Sequence, residues 1–513
     1  MKRRGIRSSW PLLAAVVLGM SLARGAVPEI CVEGDISASR GQRAPAAIAA
    51  YFDSLGQGRF DQRAACARWA GMSYRRGKDR DSNAPAADPL PARFIVFPAD
   101  GIELSRLAKW AGNMQLVKNV ELARRFLVVS FAARLSGPRL RRLLDSTLVS
   151  YAEPDCDGPD FLTTSIELFG APGATPSCWS RSARQSFPND PCIEELWGHS
   201  MIGWDSTIAA RSLPRIVAVL DSGIDAFHED LASGVAVAFN AHEPPRSQGG
   251  RLNARCATSG RCFPHGTEMA GTIGGRMDNG IGVAGVAPNS RLLPIVISRV
   301  DRGLLARLST IAAGIDAAVI GNADVINISA KWPVDSRAIA ESIRSAVGGA
   351  AMKKRLLVTG YATSLDSVDS VRVYFPSRYR CLPGVIAAVP ADMRGHELFN
   401  PKGHPDPNDG RIQAPGVDIV VTTTENSERG YALSGAAGAS SAAAYVSGAV
   451  ALVWGSPPLN TCDAQQIKRL LFCRSKGSNS TRYPWIHVDF LRELAKLGPG
   501  ATCGTAMAAL GCD

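Results

Sequence analysis

The sequence predicts a doubly wound α/β domain, with a mostly parallel sheet covered by helices on both faces, preceded by a small α+β unit. Two observations carry that reading. From Pro188 onward, near-continuous apolar runs, "RIVAVLD", "RLLPIVIS", "DVINIS", "RLLVTG" and "GVIAAVP", alternate with helical patterns such as "LARLSTIAAGIDAAVIG" and "DSRAIAESIRSAVGGAAM". Strands buried on both faces read this way, and their alternation with helices marks a parallel sheet. Between Arg93 and Asp155, strand, helix, strand, helix and strand follow one another in about 60 residues, an order typical of a compact α+β unit.

The chain opens with a basic head, "MKRRGIRSS", and a short apolar run, "WPLLAAVVLGMSLA", followed by small residues at Ser21, Ala23 and Gly25. This predicts a secretory signal peptide over residues 1–25, cut after Ala23 or Gly25, and a secreted or periplasmic protein. Residues 26–90 are Ala- and Arg-rich and carry no motif. "RFIVF" then predicts a strand, "LSRLAKWAG" a helix and "RRFLVVSFAARL" a strand. "SGPRLRRLLDS" predicts a helix opened by Ser136 and Pro138, and "LVSYAEPD" a last strand. Residues 156–187, with "DGPD" and "GAPGATPS", read as an exposed linker. Beyond the α/β region, "DAQQIKRLLFCRS" and "IHVDFLRELAKLG" predict two closing helices, and residues 498–513 a Cys-containing tail.

Composition narrows the class. The 513 residues are 46% hydrophobic and 20% charged, which suits a globular protein and excludes a fibre or a wholly disordered chain. Of the formal charge of +11, four positive charges lie in the signal peptide head, at Lys2, Arg3, Arg4 and Arg7, and the remaining basic residues form no aromatic-interleaved patch. No nucleic-acid partner is expected, and a monomer is. Twelve cysteines in an exported chain predict disulfides, with Cys256–Cys262, Cys462–Cys473 and Cys503–Cys512 as the close pairs. No cysteine or histidine spacing suits zinc. The uncharged stretch "GASSAAAYVSGAVALVW" reads as a buried Ala-rich helix, not a membrane span, because small residues contribute little transfer free energy.

Three side chains could act together. Asp221 follows the strand "RIVAVL", where a carboxylate beside a tight turn can orient an imidazole. His265 precedes a small-residue helix in "PHGTEMAGTIGG". Ser440 opens the helix of "GASSAAAYVSG", where unpaired N–H groups and a partial positive field favour a developing oxyanion. A serine hydroxyl needs a base to take its proton, and that base needs a carboxylate to fix its tautomer.

With these residues the chain resembles the subtilisin-like serine proteases, the subtilases, in which Asp, His and Ser follow in that order on a parallel sheet. The resemblance is carried by "VAVLDSGID" with "HEDL" after it, "HGTEMAGTIGG", "GVAGVAP", "APGVDI" and "GASSAAAYVSG", and by "PNDPCIEELWG" at the start of the unit. It implies a subtilisin-like catalytic domain over residues 188–497. Residues 91–155 resemble the family's ferredoxin-like inhibitory propeptide, through "SGPRLRRLLDSTLVSYAEPD". An α/β-hydrolase is excluded, since no GxSxG elbow is present and the residue order differs.

The match has informative departures. In the serine word, Ala439 stands for Thr, Ala444 for Pro and Tyr445 for His. Tyr361, in "LLVTGYATS", takes the place of the Asn that donates to the oxyanion, and a phenol is the expected donor there. In the substrate-pairing segment the usual Ser-Leu-Gly is replaced by Ser329, Ala330 and Lys331, with Lys331 expected to narrow the first specificity pocket or favour an acidic residue. No cofactor is needed for such chemistry. Structural calcium is common in the family, and "HPDPNDG" at 404–410 offers oxygen ligands. The expected function is a self-processing secreted endopeptidase acting on polypeptides, with its own propeptide as intramolecular inhibitor. The alternative is a catalytically impaired subtilase fold that binds peptides or proteins.

Overall fold

The structure, a computed structural model, describes residues 46–55, 60–70, 92–132, 135–156, 176–236, 239–241, 264–299, 305–348, 355–361, 363–367, 370–397, 410–425, 428–434, 438–475, 483–494, 496–498 and 500–512. The signal peptide, the Cys256–Cys262 pair and all but the last residue of the 404–410 turn lie outside these residues. Among the described residues no helix is long and apolar enough to cross a membrane, and no group of three or more His, Cys, Asp or Glu could hold a metal ion.

The first unit begins with α1 (Ala46–Leu55) and α2 (Gln62–Trp69), the latter capped by the Asp61 carboxylate, which accepts from the N–H groups of Arg63 and Ala64. β1 (Arg93–Pro98), α3 (Leu104–Gly112), β2 (Val117–Leu122), β3 (Leu127–Phe131), α4 (Gly137–Leu144) and β4 (Val149–Pro154) follow. Their antiparallel sheet has the order β2-β3-β1-β4. That βαββαβ arrangement contains one strand more than the sequence pattern predicted. β2, "VKNVEL", is a half-exposed edge strand, so no core face imposes an apolar alternation on it. The segment before residue 91 is joined to this unit: Ile48, Tyr51, Phe60 and Ala65 share a core with Phe94, Leu127 and Leu140, and Cys66 is bonded to Cys156.

The second unit is a seven-stranded sheet, parallel throughout. Its strands are β5 (Ile216–Asp221), β6 (Phe239–Asn240), β7 (Arg291–Val296), β8 (Val325–Ile328), β9 (Leu356–Gly360), β10 (Val385–Ala391) and β11 (Arg411–Pro415), in the order β11-β10-β9-β8-β5-β7-β6. Period-two alternation assigns each strand to two cores. Val217, Val219, Val325, Leu356 and Val358 face α5 (His265–Gly274), α8 (Ala439–Gly455) and α9 (Ala464–Arg474). Ala218, Leu220, Ile326 and Leu357 face α6 (Leu308–Ile320) and α7 (Arg337–Gly348). A hairpin of β12 (Val420–Glu425) and β13 (Glu428–Leu433) covers α5. The doubly wound reading therefore holds, although the sequence pattern had not singled out β11 or the hairpin.

Three local expectations are corrected at the C-terminus. The bridges are Cys462–Cys503 and Cys473–Cys512, because the tail forms α10 (Cys503–Ala509) and folds back onto α9. Sequence proximity is no guide where the chain reverses. Among the described residues of the second closing helix, only Leu491–Leu494 is helical. The residues ahead of it run beside the sheet edge, where Gln413 N donates to Pro484 O at 2.8 Å and Ile486 N to Gln413 O at 3.0 Å.

The first unit lies across α6 and α7, with Ile95, Phe97, Phe126, Val128 and Tyr151 joining their apolar cluster. Its last strand brings two carboxylates to two helix N-termini, where unpaired N–H groups and the macrodipole favour negative charge. Glu153 accepts from Ser336 Oγ at 2.7 Å, Arg337 N at 3.0 Å and Ala338 N at 3.3 Å, at the start of α7. Asp155 accepts from Ser309 Oγ at 2.7 Å and Ser309 N at 2.9 Å, at the start of α6, and from Arg93 Nε at 2.6 Å. Arg125 adds a contact between the helices, donating to Glu341 O at 2.7 Å and meeting Asp316 at 3.3 Å.

Burial raises the Glu153 carboxyl from its ordinary 4.5 to about 7, although every hydrogen bond it accepts opposes that rise. A folded-state pKa above the unfolded value means that the packed state holds the proton more tightly, so its advantage is fully present at acid pH and lost as pH rises through 7. Wild-type stability relative to Glu153→Gln is therefore expected to fall by on the order of 2–3 kcal/mol between pH 5 and pH 8 in urea unfolding. A difference that stays flat over that interval would contradict the burial of this group.

Candidate active site

β5 ends on Asp221, whose carboxylate is 6% exposed and accepts the Ser222 N–H at 2.7 Å. Both of its oxygens face His265 Nδ1, at 2.8 and 2.9 Å. The chain turns at Gly223, with φ 104°, and α5 lays its first turn against that bend. Gly266 N donates to Ser222 Oγ at 3.1 Å, and Asp225 N donates to Thr267 Oγ1 at 2.9 Å. A Cβ on Gly266 would overlap Gly223 O, so only glycine after His265 lets the helix approach closely enough for the imidazole to meet the carboxylate.

Burial alone pushes the His265 imidazolium down, but the charge and hydrogen bond of Asp221, with the charge of Glu268, outweigh it and leave the pKa raised above 6.5. With its Nδ1 proton held by Asp221, the neutral ring offers Nε2 as its basic nitrogen.

Ser440 is the second residue of α8 and is half-buried. Among the described residues no side chain accepts from the N–H groups of its first turn, so these groups and the positive end of the helix open at the serine. A Cβ on Gly438 would overlap Gly416 O, which makes glycine a requirement for this helix entry. The Ser440 hydroxyl donates to Ser329 O at 3.4 Å, and Ser329 Oγ donates to Ser440 O at 3.5 Å. Both contacts are long for O–H···O hydrogen bonds and therefore weak.

The sheet register relates the two pairs. Ile328 lies beside Leu220 on one side and Thr359 on the other, so the next residues, Ser329, Asp221 and Gly360, stand level at the carboxyl ends of β8, β5 and β9. Adjacent strands are about 4.8 Å apart. Asp221 with His265, and Ser329 with Ser440, are thus brought to one edge of the sheet.

Asn327 and Ser447 belong to the same assembly and were missed in the sequence. Ser447 Oγ, on α8, donates to Asn327 Oδ1 at 2.9 Å, and Asn327 Nδ2 donates to Ser329 Oγ at 3.0 Å. This chain ties the body of α8 to the segment touching Ser440. A carboxamide inside the apolar run "DVINIS" was the available signal, because a buried amide in a strand must find partners.

Tyr361 is not brought to Ser440. Gly360 faces the start of α8, where a Cβ on it would crowd Ala439, and the next residue of an extended chain points to the opposite side. Tyr361 is fully buried there with Ala387, Val389 and Tyr483, and its phenol oxygen accepts from Arg411 Nη1 at 3.2 Å. Ala330 and Lys331 are half-buried on the segment leaving Ser329. The Lys331 ammonium sits 4.9 Å from the Tyr374 ring centroid, and burial pushes its pKa down to about 8.

The sequence profile of the subtilase family matches residues 215–482, just over half of the chain. The chain belongs to the subtilase family. Subtilisin of Bacillus pumilus is 32% identical over 255 residues, covering 50% of this chain and 81% of that protein. Subtilisin E of Bacillus subtilis (strain 168) is 31% identical over 268 residues, covering 52% of this chain and 62% of its own length. Among solved structures, fervidolysin from Fervidobacterium pennivorans, a keratinolytic enzyme related to subtilisin, matches with a TM-score of 0.55 and 22% identity over 83% of this chain and 63% of that one. This likeness shows the fold. The matches with subtilisin E and fervidolysin thus span somewhat under two thirds of those relatives.

In this subtilase Tyr445 is paired with His199. Its phenol shares a 3.2 Å hydrogen bond with His199 Nδ1, in a buried pocket closed by Trp204. Burial pushes His199 down to about 4, so it is neutral at physiological pH and serves packing. Tyr361→Phe removes one acceptor of Arg411 and is expected to cost about 1–2 kcal/mol in thermal unfolding while leaving turnover within a few-fold. A loss of about 10²–10³ in kcat would instead identify the phenol as an oxyanion donor.

Proposed function

We propose that the protein is a secreted or periplasmic serine endopeptidase made as a self-processing zymogen. Ser440 Oγ attacks the peptide carbonyl, and His265 Nε2 accepts its proton and later delivers it to the leaving amine. Asp221 holds Nδ1–H and stabilises the imidazolium. The observation carrying this reading is the two-oxygen contact of Asp221 with His265, level across the sheet with the Ser329–Ser440 pair. The uncapped start of α8 supports oxyanion stabilisation by backbone N–H groups, including that of Ser440.

Residues 46–156 act in this reading as the inhibitory propeptide. Support comes from their βαββαβ order and from Glu153 and Asp155, which anchor them on α6 and α7. Export is supported by the basic and apolar start of the chain and by the Cys66–Cys156, Cys178–Cys192, Cys462–Cys503 and Cys473–Cys512 bridges. The second reading, an impaired subtilase that binds peptides, draws on the position of Tyr361, which leaves the oxyanion without that side-chain donor.

A serine-directed fluorophosphonate separates the two. The peptidase reading expects labelling of wild type, none of Ser440→Ala, and a cut between about residues 156 and 188 that Ser440→Ala abolishes. Absence of labelling in both proteins, or equal processing of both without a helper protease, would favour the binding module.

A further inference from the structure

Lys331 is two residues from Ser329, whose carbonyl accepts from the Ser440 hydroxyl at 3.4 Å, so at most about 7 Å of chain separates it from the residue that touches the candidate nucleophile. Its side chain is half-buried, with the ammonium 4.9 Å from the Tyr374 ring centroid. No carboxylate among the described residues lies within ion-pair reach of it. Other part-buried cations of this protein are matched differently. Arg93 meets Asp155, Arg125 meets Asp316, Arg215 meets Asp324 and Arg337 meets Glu341.

A partly desolvated ammonium held only by a ring face retains most of its attraction for an anion, and at neutral pH burial leaves it charged. The ring fixes where the charge sits but does not neutralise it. An entering carboxylate would restore the lost solvation, while an entering lysine or arginine would add repulsion in a low-dielectric pocket.

We infer that Lys331 is a specificity-determining residue which selects polypeptides carrying Asp or Glu beside the bond cut at Ser440, an inference that rests on the peptidase reading above. The carboxylate supplied by the substrate forms the ion pair that the protein itself leaves open. Charge-assisted pairing of this kind corresponds to about a ten- to hundredfold preference.

Matched fluorogenic peptides test this, with Glu, Gln or Lys placed in turn at each position around the scissile bond. Wild type is expected to favour Glu over its isostere Gln by about ten- to a hundredfold in kcat/KM at one position, and to disfavour Lys there. Lys331→Arg should keep the preference, Lys331→Met should remove it, and Lys331→Glu should turn it toward Lys. Equal cleavage of Glu and Gln peptides by wild type, or a preference that survives in Lys331→Met, would overturn the assignment even with Ser440 reactive toward fluorophosphonate. If wild type neither labels nor cleaves any peptide, the peptidase reading fails first and this inference with it.

Discussion

Parallel register at the carboxyl end of the sheet is the constraint on which the rest of this molecule depends. Leu220, Ile328 and Thr359 are aligned by the ladder, so Asp221, Ser329 and Gly360 emerge at one level, each with a different task. Asp221 meets His265, Ser329 meets Ser440, and Gly360 leaves room for the start of α8. A slip of one residue in any of these strands would turn the side chain at the edge into the opposite core. The two apolar clusters resist that slip along each strand, and the positions of Asp221, Ser329 and Gly360 therefore rest on them.

Helix ends perform the complementary work. α5 approaches the Asp221 bend because Gly266 has no Cβ, and α8 starts beside Gly416 because Gly438 has none. Among the described residues no side chain caps the start of α8, whereas α6 and α7 receive Asp155 and Glu153. Two helices of the sheet unit thus have their N-terminal charge satisfied by the preceding α+β unit, and the third keeps it available at Ser440. Departure of the α+β unit would expose the first two ends without disturbing the third.

Much of this was legible from residues. The apolar runs marked five of the seven strands, and Asp221, His265 and Ser440 stood at a strand end and at helix starts whose local chemistry could be read directly. What escaped was set by tertiary context. β2 is an edge strand with no core face to impose a pattern, and the bridges of Cys462 and Cys473 follow a chain reversal that spacing does not encode. The support of Ser329 by Asn327 and Ser447 depends on contacts 120 residues apart for one of its two bonds. Tyr361 is the instructive case. The phase of "RLLVTG" already places Leu356, Val358 and Gly360 on one side, so the residue after Gly360 belongs to the other, whatever its family counterpart does.

The central claim is that Asp221 sets the basicity of His265 and that His265 in turn activates Ser440. The pH dependence of the fluorophosphonate labelling rate tests it most directly, in wild type and in Asp221→Asn. The account predicts that the wild-type rate rises with pH through a single ionisation above 6.5, and that Asp221→Asn lowers it by about 10⁴. A wild-type rate that does not change with pH and is matched by Asp221→Asn would contradict it.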